Sequence, residues 1–141
     1  MIERGPAKVG LYLHIHPSEG FFGGGVYRPS REMLEAVRRL IDQRGAELHK
    51  AVSQKDFQRR FGAIEGERLK VAPRDYPRDH PWIDLLRLKD FTFTRSLSQA
   101  DLCSEDLLPG LTNDFKAALP FLEFLDQAQE TLGGADPHTR L

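Results

Sequence analysis

Cysteine is nearly missing from this sequence: Cys103 is the only one among 141 residues. That excludes an internal disulfide and any zinc site built on several thiolates. Long apolar runs are missing too. None approaches the roughly 20 residues a membrane helix needs, and the opening MIERGPAKVG lacks the apolar core of a secretory signal. Neither charge is in large excess. The formal net charge is −1 and the pI is about 6.5, far from the basic footprint of a duplex nucleic-acid binder. Neither a membrane nor nucleic acid is therefore an expected partner. There is no GK[ST] phosphate loop and no spaced-glycine dinucleotide fingerprint. Ser18, Ser30 and Ser96 lack a nucleophile-elbow setting. Asp101 and Glu105 make the surroundings of Cys103 unsuited to an activated thiolate. Internal repeats and low-complexity tracts are absent.

What is present has the balance of a soluble, globular, cytoplasmic protein, with 40% hydrophobic and 29% charged residues. The length suits one domain. Residues 9–16 alternate cleanly, with Val9, Leu11, Leu13 and Ile15 on one face and Gly10, Tyr12, His14 and His16 on the other. This predicts a strand whose Leu11, Leu13 and Ile15 face lies under a helix, ended by Pro17 and Gly20. A second strand is expected over residues 21–27. The run Gly23-Gly24-Gly25 within it marks a bulge or a close backbone approach. Ser30 caps a helix with Met33, Leu34, Val37, Leu40 and Ile41 as its apolar stripe, and Gly45 is placed to end it. Ser53-Gln54-Lys55-Asp56 resembles a capping box for a short helix that buries Phe57 and Phe61 and stops at Gly62.

Residues 63–78 read as irregular, because Pro73, Pro77 and Pro81 each bias the preceding residue away from helix. Pro81 also suits the first turn of a buried helix from His80 to about Lys89. A third strand is expected over residues 91–94. Residues 104–132 read as helical, with Pro120 kinking or splitting the helix, and residues 133–141 as a flexible tail. Strands come early and helices late, without a βαβ rhythm. The expectation is an α+β fold, a small and mostly antiparallel sheet packed by several helices, in a single domain over residues 1–132.

Charge is uneven along the chain. Residues 28–95 hold sixteen Lys and Arg against eleven Asp and Glu, whereas residues 99–141 hold two against eight. The plain reading is two solvated faces; the sharper one is an anion site in the middle of the chain. Residues 65–91 concentrate the question. They carry seven basic or histidine residues, six acids, three prolines and the apolar knot of Trp82, Ile83, Leu85, Leu86 and Leu88.

The stretches YLHIHPSEGFFGGGVYRPSREMLEAVRRLI and FGAIEGERLKVAPRDYPRDHPWIDLLRLKDF, with the helical end, resemble the C-terminal part of a bacterial domain-of-unknown-function family, number 2461. The resemblance covers roughly residues 10–132, and its most specific parts are GGG-x-Y-x-P, GERLK and DHP-x-x-DLLRLK. It implies a fold type and no catalytic residues. Family members begin with a longer half carrying a basic, aromatic stretch, which this chain lacks, so it resembles a truncated member. Any site shared between the halves is then expected to be incomplete. A sheet edge or apolar face is expected to lie open and to promote self-association. His16 stands where an acidic residue is more usual in the family.

Stiff loops hold bound groups at a lower entropic cost. Arg68, Lys70 and Arg74, with His80 at the mouth, are therefore candidates for gripping a small phosphorylated or carboxylated ligand. The competing reading pairs Arg68 and Lys70 with Glu65 and Glu67, and Arg74 and Arg78 with Asp75 and Asp79, in a structural or protein-interaction module without a ligand site. His14 and His16 share a strand face and can supply two metal ligands. A catalytic zinc needs a third, for which Glu19 or His80 is the nearest candidate. The plainer reading has both histidines lining the polar sheet face, with no metal. The glycine run can cradle phosphate through its N–H groups or simply let the strand bend. No spacing singles out a catalytic pair or a cofactor, and whether the chain is an enzyme stays open.

Overall fold

Ser30 opens the first helix as its position predicts, its hydroxyl accepting a hydrogen bond from the Met33 N–H at 3.1 Å. The structure, a computed structural model, describes residues 9–133. Of the expected tail, only Gly133 falls within them. Three strands, β1 (Gly10–Ile15), β2 (Glu19–Val26) and β3 (Phe91–Ser98), form one antiparallel sheet in the order β1-β2-β3. Five helices accompany them: α1 (Arg31–Ser53), α2 (Lys55–Phe61), α3 (Ile83–Leu86), α4 (Gln99–Leu102) and α5 (Leu107–Gly133). The fold is α+β, as the element order implied.

The alternating pattern fixes which side of the sheet is which. Phe22, Val26, Phe91, Phe93 and Leu97 share one face and are buried. Four aromatic rings meet there. The Phe93 centroid lies 4.5 Å from Phe61, 6.0 Å from Phe57 and 5.9 Å from Phe121. These distances suit tilted and edge-to-face packing of rings. Helix α1 packs chiefly on α5, and its predicted stripe of Met33, Val37, Leu40 and Ile41 is buried.

The glycine run is a close approach and not a bulge. Pairing runs unbroken, with Tyr12 opposite Gly23 and Gly23 opposite Thr94. A Cβ on Gly23 would stand 2.5 Å from the Phe93 carbonyl oxygen. Gly25 adopts φ +115°, where an L side chain is strained, and its Cβ would meet the Phe91 oxygen at 2.0 Å.

Several expectations are corrected. Leu11, Leu13 and Ile15 lie on the helix side of the sheet but remain exposed. β1 is the outer strand, whereas α2 and α5 pack on β3 and β2; alternation decides a residue's face and not its lateral position. The helical backbone of α1 breaks at Arg44 (φ −138°, ψ 35°), one residue from the stop expected at Gly45, and a second helical stretch runs on to Ser53. Gly45 also has a packing role: a Cβ there would stand 2.3 Å from Cδ1 of Trp82. The box expected at Ser53–Asp56 does not form. Gln54 precedes α2 without a side-chain cap, and Asp56 takes Arg59 and Arg60 instead. A capping box does form at Ser98 and Asp101. The helix expected from His80 shrinks to Ile83–Leu86, because residues 87 and 89 turn back to pair with the strand-like segment at residues 67–69. Pro120 lies inside α5 without splitting it. β3 runs four residues further than expected.

Two carboxylates are buried: Asp90, which accepts from the Arg28 N–H at 2.6 Å, and Asp114. Asp114 on α5 is fully buried. It accepts from Arg60 on α2 at 2.9 Å and from Arg95 on β3 at 2.7 and 2.6 Å. The hydrogen bond to Asp114 is the largest cause holding the Arg60 guanidinium above its usual pKa.

Two stability predictions follow from the packing. Leu86 is fully buried, so Leu86→Ala should cost about 2–5 kcal/mol in urea unfolding; a loss below about 0.5 kcal/mol would remove α3 from the core. Asp114→Asn leaves Arg95 without its counter-charge and Arg60 with Asp56 alone, and should cost about 3 kcal/mol. A neutral effect would show that water replaces the carboxylate.

Candidate functional site

The face of the sheet opposite the helices is open. Strand alternation brings Gly10, Tyr12 and His14 of β1, Phe21, Gly23 and Gly25 of β2, and Thr92, Thr94 and Ser96 of β3 onto it. Tyr12, Phe21 and Tyr27 are exposed there. Together with Glu65 they bound a trough of about 920 Å³ whose floor includes Gly23 and Gly24. The glycines leave bare peptide planes, and the rings of Tyr12, Phe21 and Tyr27 stand around them. His14 stacks on Phe21 with centroids 5.3 Å apart and planes at 21°. The Arg28 guanidinium lies 5.2 Å from the Tyr27 centroid. Glu65 also closes the outer edge of β3: its N–H donates to the Thr92 carbonyl at 2.7 Å, and its carbonyl accepts from the Thr92 N–H at 3.2 Å. Among the described residues the lining holds one histidine, His14, one acid, Glu65, and no Lys or Arg.

The loop candidates lie elsewhere. Arg68 donates to the Asp84 carbonyl at 2.7 Å. His80 is nearly buried and held at both ring nitrogens. Its Nε2 is 2.7 Å from an Asp42 carboxylate oxygen, and its Nδ1 accepts from the Trp82 N–H at 3.0 Å. Lys70 and Arg74 are exposed. None of the four lines the trough or the arginine-rich cavity described below. The local pairs of the competing reading are not formed either. Among the described residues, Arg68, Lys70, Arg74 and Arg78 make no ion pair within 4 Å. The basic residues that do bond in this segment hold its backbone. Arg87 donates to the Leu69 carbonyl at 2.8 Å, and Arg38 of α1 reaches the Leu86 and Leu88 carbonyls at 2.9 and 3.1 Å. Half-burial lowers the Arg38 pKa from its usual value.

His14 and His16 do not act together. His14 is on the open face, whereas His16 lies past the end of β1, its Nδ1 3.4 Å from the Ser18 hydroxyl. Among the described residues no three His, Cys, Asp or Glu side chains gather as a metal site. A second cavity, of about 400 Å³, is lined by Arg59, Arg60 and Arg95 with Asp101, Ser104 and Asp106. Its guanidiniums are already paired, Arg60 and Arg95 with the buried Asp114 and the exposed Arg59 with Asp56.

The trough was not flagged by the sequence reading, although one signal for it was in plain view. Pro17 and Ser18 make a two-residue loop, closed by bonds of 2.8 and 3.2 Å between His16 and Glu19. A hairpin that tight fixes the register. Alternation then sets Tyr12 and His14 beside Phe21 on one face.

The fold and trough define an α+β domain with one face of its sheet packed and the other bare. The chain belongs to the family described as a conserved hypothetical protein, domain-of-unknown-function family 2461, whose pattern it matches over residues 2–124. The match covers most of the chain, beginning ahead of the β1 motif and ending within α5. No curated protein and no solved structure matches it. Among the described residues no helix is long and apolar enough to cross a membrane.

The bonds at His80 make a prediction. His80→Ala should lower stability by about 1–2 kcal/mol through loss of both ring contacts. Lys70→Ala and Arg74→Ala, at exposed positions, should stay within about 0.5 kcal/mol of the parent in the same thermal melts. Equal effects at all three positions would refute the anchoring role.

Proposed function

We propose that this chain is a binding module that takes a flat, largely apolar ligand, uncharged or cationic, on the open face of its sheet. The trough carries the reading: exposed Tyr12, Phe21 and Tyr27 surround bare glycine backbone in a volume of about 920 Å³. Exposed aromatic clusters of this kind mark interaction surfaces. The volume is within the range of small-molecule sites, about 300–1,000 Å³. Ring faces and peptide planes offer stacking surface to a planar group. Glu65 adds a negative charge and the threonine hydroxyls add polar contacts. An anion would find no charge-assisted partner among these residues.

A second reading keeps a phosphorylated or carboxylated ligand on the Pro-rich loop. It is favoured by Lys70, Arg74 and Arg78, which are exposed and form no ion pair among the described residues. Arg68 and His80 join such a site only by giving up Asp84 and Asp42. The alternative of a protein-interaction module draws on the uncovered β1 edge, which is also what resemblance to the C-terminal part of the family pattern leads one to expect. No reaction is assigned.

Thermal shift separates the two ligand readings. The panel holds neutral aromatics, nucleosides, phosphates, carboxylates and nucleotides, tested on the parent chain, Thr94→Trp and Arg74→Ala. Thr94→Trp fills the trough; Arg74→Ala removes a loop cation. A ligand at about 100-fold excess over Kd adds roughly 2.7 kcal/mol of stability. A shift lost in Thr94→Trp and kept in Arg74→Ala supports the trough. The opposite pattern supports the loop. If no neutral aromatic or nucleoside shifts the parent, the trough reading fails.

A further inference from the structure

β1 is built like an inner strand but sits at an edge. Apolar side chains stand exposed on both of its faces: Leu11, Leu13 and Ile15 on one, at 45%, 47% and 62%, and Tyr12 on the other, at 46%. Edge strands are normally blunted by Lys, Pro or other charge. Gly10–Ile15 contains no Lys, Arg, Asp, Glu or Pro. Its backbone polarity is also defined. His16 and Glu19 exchange both backbone bonds. The antiparallel alternation then makes His14–Phe21 and Tyr12–Gly23 the bonded pairs. The N–H and C=O groups of Leu11, Leu13 and Ile15 are left pointing at the open edge.

We propose that β1 pairs antiparallel with β1 of a second copy, in a register centred on Leu13, so that the partner's Tyr12 and His14 complete the trough's open wall. The occupant follows from self-complementarity. In an antiparallel ladder, outward-pointing groups must face outward-pointing groups, so Leu11, Leu13 and Ile15 oppose their own kind. Centring on Leu13 sets Leu13 against Leu13 and Leu11 against Ile15, which uses all three residues and forms six backbone bonds. Centring on Tyr12 uses two and forms four.

This parity also keeps both helical layers on one side of a continuous six-stranded sheet. On that side Ile15 of one copy enters the groove that the other makes from Leu11, Phe115 and Leu119. On the open side Tyr12 stands opposite His14 across the dyad. No acid or base of β1 meets its like. The four apolar side chains, each about half exposed, account for on the order of 400 Å² per copy, taking roughly 200 Å² for a fully exposed large side chain. With the paired backbone and His14 added, the interface reaches the small end of specific ones, about 1,000 Å² in total. Association should therefore be reversible and micromolar.

The pairing rests on the edge alone; what the completed trough binds rests on the functional reading above. Sedimentation of the full chain from 1 to 200 µM tests the pairing. A concentration-dependent dimer is expected. Leu13→Lys, at an exposed position, should raise its dissociation constant at least tenfold while leaving the far-UV circular dichroism unchanged. Register is read by cross-linking in a Cys103→Ser background. Leu13→Cys should form a disulfide dimer on mild oxidation, whereas Leu11→Cys, equally exposed but facing Ile15, should not. A parent chain that stays monomeric throughout, a dimer indifferent to Leu13→Lys, a larger assembly, or equal linking of both cysteine variants would each overturn the proposal. The aromatic and nucleoside panel applied to the dimer and to Leu13→Lys reports on the trough separately, so a dimer that binds none of these probes sinks the ligand reading and leaves the pairing intact.

Discussion

The Asp114 carboxylate is the constraint on which the relation of sheet to helices depends. It is fully buried on α5 and is shared by a guanidinium from α2 and another from β3. A lone buried charge is costly by several kcal/mol, and two well-placed arginines compensate it only in one geometry. The contact of Phe121 on α5 with Phe93 on β3 is non-directional and does not by itself fix where the helix sits along the strand. The forked bonds of Arg60 and Arg95 do. They lock α5, α2 and the edge strand β3 into one register, and with them the side of the sheet that is covered. The arginines are thereby consumed. The cavity they line has the composition of an anion site, but its charge is already balanced by carboxylates.

The same economy explains residues 65–91. A segment with three prolines and a four-residue helix leaves many carbonyls without a ladder partner. Buried backbone groups must be satisfied somehow. Arg38, Arg68 and Arg87 bond to carbonyls of residues 86 and 88, 84, and 69. His80 ties the loop to α1 through Asp42, and Gly45 opens the space that Trp82 fills. The density of charge there is largely a means of holding irregular backbone in place. Lys70, Arg74, Arg78 and Lys89 are the exceptions: they are exposed, pair with no acid among the described residues, and leave the segment with cationic ends to offer.

With one sheet face sealed by this framework, the other face and the β1 edge hold what is exposed. Glycine at positions 23 and 25 lets β2 close on β3, and glycine at position 23 also strips the trough floor of a side chain. The tight Pro17-Ser18 hairpin fixes both the rings beside that floor and the parity of the free backbone groups on β1. A single local feature thus sets the shape of the candidate site and the polarity of the candidate interface.

The sequence by itself determined what is local. Period-two alternation gave β1 and the near part of β3, the Ser30 cap and stripe gave the start of α1, and the α+β class followed from the element order. These depend on nearest neighbours, whose geometry the chain carries with it. Tertiary structure decided which of those elements is covered. Nothing in residues 9–16 distinguishes an inner strand from an outer one, since the pattern records a face and not a position in the sheet. Nor does Gly45 announce a seat for Trp82, or Asp114 its two arginines, because each partner is tens of residues away and only packing brings them together. The loop cations were legible as a group, yet their carbonyl partners were not. A backbone oxygen looks the same at every position until the fold decides which of them water can reach.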